Sequence, residues 1–275
     1  MNISHNAPHI AFVGGGNMAS AILGGLLRQG MAVSNFTVIE PYAPQRDKLL
    51  ADHQLQALPA ADSTLAQAAL VLWAVKPQSF KEAATAVAAL TGQALHLSVM
   101  AGITTDAMAR WLGSERIVRA MPNTPALIGR GIAGLYARDA VSKADRALVE
   151  YIMATTGESL LVDSEAQIDA VTALSGSGPA YVFFFIEAMM RAGQAMGLSE
   201  AQARRLAQST FAGAAELARQ SPDSPAELRQ RVTSKGGTTY AAITTLEHNQ
   251  VGVHFEQAMQ AACQRAAQLG QEFGA

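Results

Sequence analysis

The stretch that decides the fold is His9-Ile-Ala-Phe-Val-Gly-Gly-Gly-Asn-Met-Ala19. An apolar run enters three glycines, and an amphipathic pattern over Met18–Gln29 begins at once. The string fits G-x-G-x-x-A. Gly14 allows a tight turn, Gly16 lets backbone approach a pyrophosphate, and Ala19 lets helix and strand pack closely. Asn17 and Met18 then open a helix whose free N–H groups suit an anion. The spacing predicts a strand, a turn and a helix that bind a dinucleotide.

Outward from this motif, short apolar runs alternate with helical patterns. His9–Val13, Phe36–Glu40, Leu70–Val75, Leu95–Val99 and Ile117–Ala120 read as strands; Gln45–His53, Ser79–Leu90 and Thr104–Leu112 read as helices between them. Apolar strands alternating with helices predict a buried parallel sheet covered on both faces, a doubly wound α/β domain. Gly131–Tyr136 and Ser159–Val162, around a helix at Lys143–Thr155, are candidates for the sheet's edge. After about Asp163 the β pattern stops. Tyr181, Phe184, Phe185, Ala188, Ala192 and Met196 recur at helical spacing, and Ser199 with Gln202 forms a capping box. The expected organisation is a Rossmann-type domain over 1–163 and an all-helical domain over 164–275.

Composition narrows the class. Hydrophobic residues make up 49% of the 275 and charged residues only 15%, which suits a chain with a large core and excludes disorder. A net charge of −2 without a basic block argues against nucleic acid and anionic membranes. Neither apolar run, Ala68–Val75 or Ala180–Ile186, approaches the ~20 residues of a membrane span. The first residues, Met1–Pro8, lack a signal-peptide pattern. The single cysteine, Cys263, fits a reducing cytoplasm.

Ligands of open α/β sheets lie outside the carboxyl ends of the strands. Glu40 ends the second strand, where a carboxylate can hold the adenosine ribose of NAD; Arg46 could instead pair with the 2′-phosphate of NADP. Lys76, in Ala74-Val75-Lys76-Pro77, brings an ammonium group to a strand end. Val99-Met100-Ala101-Gly102 is a small-residue turn that lets a flat ring lie close. Asn123 sits between two prolines in Met121-Pro-Asn-Thr-Pro125.

Two segments stand out in the helical half. Thr172–Ala180 must break or bend a helix at Gly176–Pro179. Val232-Thr-Ser-Lys-Gly-Gly-Thr-Thr239 opens another, with free N–H groups expected at Gly237, Thr238 and Thr239 and hydroxyls on Ser234, Thr238 and Thr239. A small carboxylate suits that start. The six histidines (His5, His9, His53, His96, His248 and His254) fall singly, without metal-ligand spacing, so no metal site is expected.

Five segments together, Val13–Ala19, Ala74–Gln78, Met121–Ala126, Asp169–Tyr181 and Val232–Thr239, resemble the Δ1-pyrroline-5-carboxylate reductase family along nearly the whole chain. Lys235 departs from the proline common there. The resemblance implies hydride transfer to the C=N carbon of pyrroline-5-carboxylate, giving L-proline, usually with NADPH and with NADH as the alternative. It places cofactor contacts on Gly14–Met18, Ala74–Pro77 and Val99–Ala101. The substrate carboxylate falls on Ser234, Gly236 and Gly237, and the hydroxyl of Thr239 lies beside the ring nitrogen. It also implies a homodimer interlocked through the C-terminal helices, and in some members a decamer, a pentamer of dimers. Tyr181–Met196, apolar almost all round apart from Glu187, Arg191 and Gln194, independently calls for a partner.

Two competitors differ in class. A β-hydroxyacid dehydrogenase needs a lysine soon after the second-domain glycines, where this chain has Val182, Phe185 and Ile186. A non-catalytic redox sensor would bind the dinucleotide without oxidising it when pyrroline-5-carboxylate is added.

Overall fold

The structure, a computed structural model, describes residues 7–274. The segment read for a leader, together with His5, lies largely or wholly outside those residues. The order is β1 (Ile10–Val13), α1 (Asn17–Arg28), β2 (Phe36–Ile39), α2 (Ala43–His53), β3 (Leu70–Trp73), α3 (Phe80–Val87) and β4 (Leu95–Ser98). There follow α4 (Thr105–Leu112), β5 (Ile117–Met121), β6 (Gly131–Ala137), α5 (Lys143–Met153), β7 (Gly157–Leu161) and α6 (Ala166–Val171). The rest is helical: α7 (Gly178–Ala195), α8 (Glu200–Gln220), α9 (Pro225–Arg231), α10 (Thr238–His248) and α11 (Val251–Phe273).

The strands form one sheet in the order β2-β1-β3-β4-β5-β6-β7. The first five are parallel; β6 runs antiparallel to β5, and β7 is parallel to β6. Alternation along β1 sets the two faces. Ile10 and Phe12 join Ile22, Leu26, Leu49 and Ile152 on one side. Ala11 and Val13 join Phe80, Ala84, Met108 and Leu112 on the other. Both sets are buried, and each large side chain so removed from water contributes roughly 1.5–3 kcal/mol.

Two compact units result. One reaches through Ser177 and includes the end of α11 from Ala262; the other is Gly178–Ala261. The sequence reading divides the chain earlier, at residue 164. The segment between belongs with the sheet because buried Arg119 on β5 holds Glu165 at 2.9 Å and lies 3.9 Å from Asp169. Between α6 and α7, Thr172–Gly176 forms one π-helical turn, the distortion expected around Gly176–Pro179.

The helical unit has two capping boxes but a thin core. Ser199 and Gln202 make the anticipated capping box, and Ser224 with Glu227 makes another at α9. Yet within Gly178–Ala261 only Gly193, Ala203 and Ala207 are buried. Val182, Phe183, Phe184 and Met189 of α7 are exposed.

Candidate functional site

The parallel register aligns the carboxyl ends of the strands. Val13 pairs with Ile39 and Trp73, Trp73 with Ser98, and Ser98 with Arg119. Gly14, Glu40, Ala74 and Val99 therefore leave the sheet in one row, at the crevice where strand order reverses around β1.

Gly14 has φ +97°, and its N–H donates to the Ile39 carbonyl at 2.8 Å. A Cβ there would come within 2.6 Å of the Ala74 carbonyl oxygen, so no side chain fits. Gly16 caps α1 without any side-chain hydrogen bond, and nothing lies within 4 Å of where its Cβ would point. No acid stands in the first turn of α1. The helix thus opens with unopposed amide dipoles above a clear space, a cradle that fits a pyrophosphate. Asn17 and Met18 are its first two residues.

Several candidates have duties within the protein. Glu40 accepts hydrogen bonds from the N–H of Gly15 and of Tyr42, each at 2.9 Å. The carboxylate expected to meet a ribose therefore braces the glycine loop. Arg46 donates through Nη1 to the carbonyls of Glu40 (3.0 Å) and Pro41 (2.7 Å), at the same strand end. Asn123 donates to Ser175 Oγ and accepts from the Ile132 N–H, both at 3.1 Å. Its amide ties the β5 end to the π-helical turn. Met100 is buried in the core, and its N–H is taken by Ser98 Oγ at 3.2 Å, so its carbonyl is the group left for a ligand. Ala74, Val75, Val99 and Ala101 are partly or fully accessible; Pro77 follows exposed Lys76 and starts a short 3₁₀ turn.

The Ser234–Thr239 segment shows one correction. The Gly237 N–H is not free, because it closes a tight turn onto the Ser234 carbonyl at 3.0 Å. Gly236 takes φ +76° in that turn, and a Cβ on Gly237 would strike Ser234 Oγ at 2.8 Å. The amides of Thr238 and Thr239 still open α10 without a side-chain cap. Among the described residues, no hydrogen bond engages the hydroxyls of Ser234, Thr238 or Thr239. A cavity of about 530 Å³, lined by Thr233, Lys235, Tyr240 and Ile243 among others, lies beside the turn.

Sequence reasoning missed Gln45, whose amide donates to the Gly15 carbonyl, and Ser175, the partner of Asn123. Gln45 sits just inside α2, a signal that its position offered. Ser175 lies in the flagged small-residue segment, but only the fold shows what its hydroxyl meets. No His, Cys, Asp and Glu group able to hold a metal occurs among the described residues.

The chain is similar to known proteins along nearly its whole length. Residues 165–269 match the family model described as pyrroline-5-carboxylate reductase dimerisation. Residues 9–102 match one described as NADP oxidoreductase, coenzyme F420-dependent. The chain is 44% identical to the pyrroline-5-carboxylate reductase of Pseudomonas aeruginosa, covering 98% of this chain and 99% of that one. It is 39% identical to that of Pasteurella multocida, covering 97% and 99%. Among solved structures, the Coxiella burnetii pyrroline-5-carboxylate reductase superposes with a TM-score of 0.88 at 37% identity, over 96% of this chain and 99% of that one. The Plasmodium falciparum pyrroline carboxylate reductase with NADP bound gives 0.85 at 27% identity, over 96% and 98%. With its dinucleotide cradle, its uncapped α10 start and this whole-length likeness, the chain belongs to the pyrroline-5-carboxylate reductase family.

Proposed function

We propose that the protein reduces 1-pyrroline-5-carboxylate to L-proline, with NADPH as the preferred hydride source and NADH as the alternative. The observation that carries the reading is the Ser234–Thr239 turn, whose three hydroxyls and two helix-start amides lack partners among the described residues. Such a group is built for a small anion with an adjacent polar atom. Ser234, Gly236 and the Thr238 amide take the substrate carboxylate, with Gly237 shaping the turn rather than donating.

The cradle between Gly14 and Met18 would hold the pyrophosphate of the dinucleotide, whose reduced nicotinamide would supply the hydride. The substrate iminium already carries the charge that attracts it, so the protein's part is orientation, worth up to ~7–11 kcal/mol in favourable cases. Thr239 acts as the catalytic hydroxyl. It accepts a hydrogen bond from the protonated ring nitrogen. Hydride addition at the ring carbon would move the C=N π pair onto nitrogen and give the neutral secondary amine, which takes a solvent proton through the Thr239 hydroxyl to become the ammonium of L-proline. Val99–Ala101, Ala74–Pro77 and Asn123 frame the cofactor side, with Lys76 answering phosphate charge. The preference for NADPH is supported by the NADP-bound relative and by Arg46 at the β2 end beside a Glu40 already occupied by the glycine loop.

The same reading makes the protein a cytoplasmic homodimer, in which a partner covers α7, with decamers as a higher assembly of such dimers. The test is oxidation of NADPH and of NADH, side by side, on adding pyrroline-5-carboxylate. We expect turnover with both and a lower KM for NADPH. Thr239→Ala should lower kcat at least tenfold, on the order of one lost charge-assisted hydrogen bond. Intact cofactor binding without turnover in the unaltered protein would instead mark a sensor.

A further inference from the structure

The last turn of α11 packs on the loop that follows β4. Gly102, at φ +74°, is buried there; a Cβ on it would stand 3.1 Å from Phe273 Cδ2 and 3.2 Å from Leu269 Cβ. A Cβ on Gly270 would lie 3.5 Å from Thr104 Cγ2, and the Arg110 guanidinium donates to the Gly274 carbonyl. Phe273 is half-buried against the core cluster that contains Met100 and Ile103. All these residues belong to the sheet unit.

The loop is anchored on either side of its middle by the buried side chains of Met100 and Ile103, which leaves exposed Ala101 and buried Gly102 between them as the part without a side-chain anchor. Its positive-φ glycine has no side chain to anchor it, and the Met100 N–H to Ser98 Oγ bond ties only its first half. The ring of Phe273 and the side chain of Leu269 occupy the room that a residue larger than glycine would fill.

We propose that Phe273, backed by Leu269, is a positioning residue for hydride transfer, holding the Ala101–Gly102 turn in the shape that receives the nicotinamide end of the cofactor. This rests on the assignment of Val99–Ala101 to the cofactor. Phe273 touches neither substrate nor cofactor; it acts through the loop. Removing the ring leaves the turn room to shift, and the bound nicotinamide loses its aligned pose.

The test compares Phe273→Ala, Phe273→Leu, Leu269→Ala and Ala101→Trp in the full-length enzyme, at a temperature where circular dichroism shows each folded. We expect Phe273→Ala to raise the Kd and KM for NADPH on the order of tenfold and to increase the primary isotope effect with 4-deuterated NADPH. The KM for pyrroline-5-carboxylate at saturating NADPH should stay unchanged. Leu269→Ala should move in the same direction by less, and Phe273→Leu should restore most of the loss. NADPH constants within twofold of the parent in Phe273→Ala and Leu269→Ala would overturn the proposal, even if both variants melt earlier. Ala101→Trp separates the two layers: if it binds NADPH normally, the cofactor assignment of the loop itself fails. If it blocks binding while the Phe273 variants behave as the parent, only the positioning role fails.

Discussion

His96 shows how a single side chain couples the sheet to pH. It lies on β4, fully buried, and accepts at Nδ1 a hydrogen bond of 3.1 Å from the Trp73 indole N–H. Burial, with a smaller push from Arg116, lowers its pKa from 6.5 to about 4. A proton on Nδ1 would also break the bond from Trp73. The folded state therefore holds the neutral ring while the unfolded chain takes up a proton below 6.5. Stability is intact above that value and falls as the pH drops from 6.5 towards 4. Between pH 7 and pH 5 the loss should be about 2 kcal/mol. Urea unfolding at fixed protein concentration should show it, and His96→Gln should flatten it. At this scale the sequence was informative where backbone geometry alone decides, as at Gly14, whose close approach to Ala74 leaves no room for a Cβ. It was less informative for side chains with two uses. Glu40 stands where a ribose-binding acid belongs, and only the positions of the Gly15 and Tyr42 amides reveal that it braces the loop.

Among elements, the parallel strands were legible because each is apolar on both faces and bounded by turn residues. Their carboxyl ends were read one or two residues too long at Glu40, Ala74–Val75 and Val99; at the last two, apolarity continues past the last ladder pair into the ligand crevice. The antiparallel sense of β6 was not legible, because direction depends on the connection and not on the pattern. Nor was the attachment of α6. Glu165 accepts from Arg119 at 2.9 Å and from both the N–H and the hydroxyl of Thr105, at 2.7 and 2.6 Å. Arg119 Nε is buried with no partner among the described residues, which makes its charge depend all the more on Glu165. Asp169, the second acid facing it, is the more distant counter-charge at 3.9 Å, and burial raises its pKa against the opposing pull of Arg119. Glu165→Gln should therefore cost about 3 kcal/mol in thermal or urea unfolding, as expected when one partner of a buried pair is removed. Asn123→Ala should cost less.

For the whole molecule, the thin core of the helical unit is the deciding feature. Phe183 and Phe184 on α7 are 58% and 60% exposed, and Phe184 lines, with Tyr181, Phe185 and Phe255 among others, an apolar cavity of about 470 Å³. Their neighbourhood coincides with the match to a dimerisation family model. Introducing charge with Phe183→Asp and Phe184→Asp together should shift the protein from dimer to monomer in light scattering and strip most activity with it. A parent protein that is already a stable monomer would refute the assembly. The low charge content was readable as a missing partner because an all-round apolar helix cannot be hidden within a small domain. The number of copies was not readable, since it depends on how the exposed faces match.

A unit with three buried residues cannot pass a folding barrier by itself. In the proposed dimer its apolar surface is removed from water when a second chain arrives, which predicts a bimolecular final folding step. The sheet unit, with a core on each face, can collapse first and in a concentration-independent phase. The helices then become native at a rate set by encounter between chains, and the melting temperature climbs with protein concentration. The equilibrium stability of the helical unit is in that sense tied to how much of the chain is present.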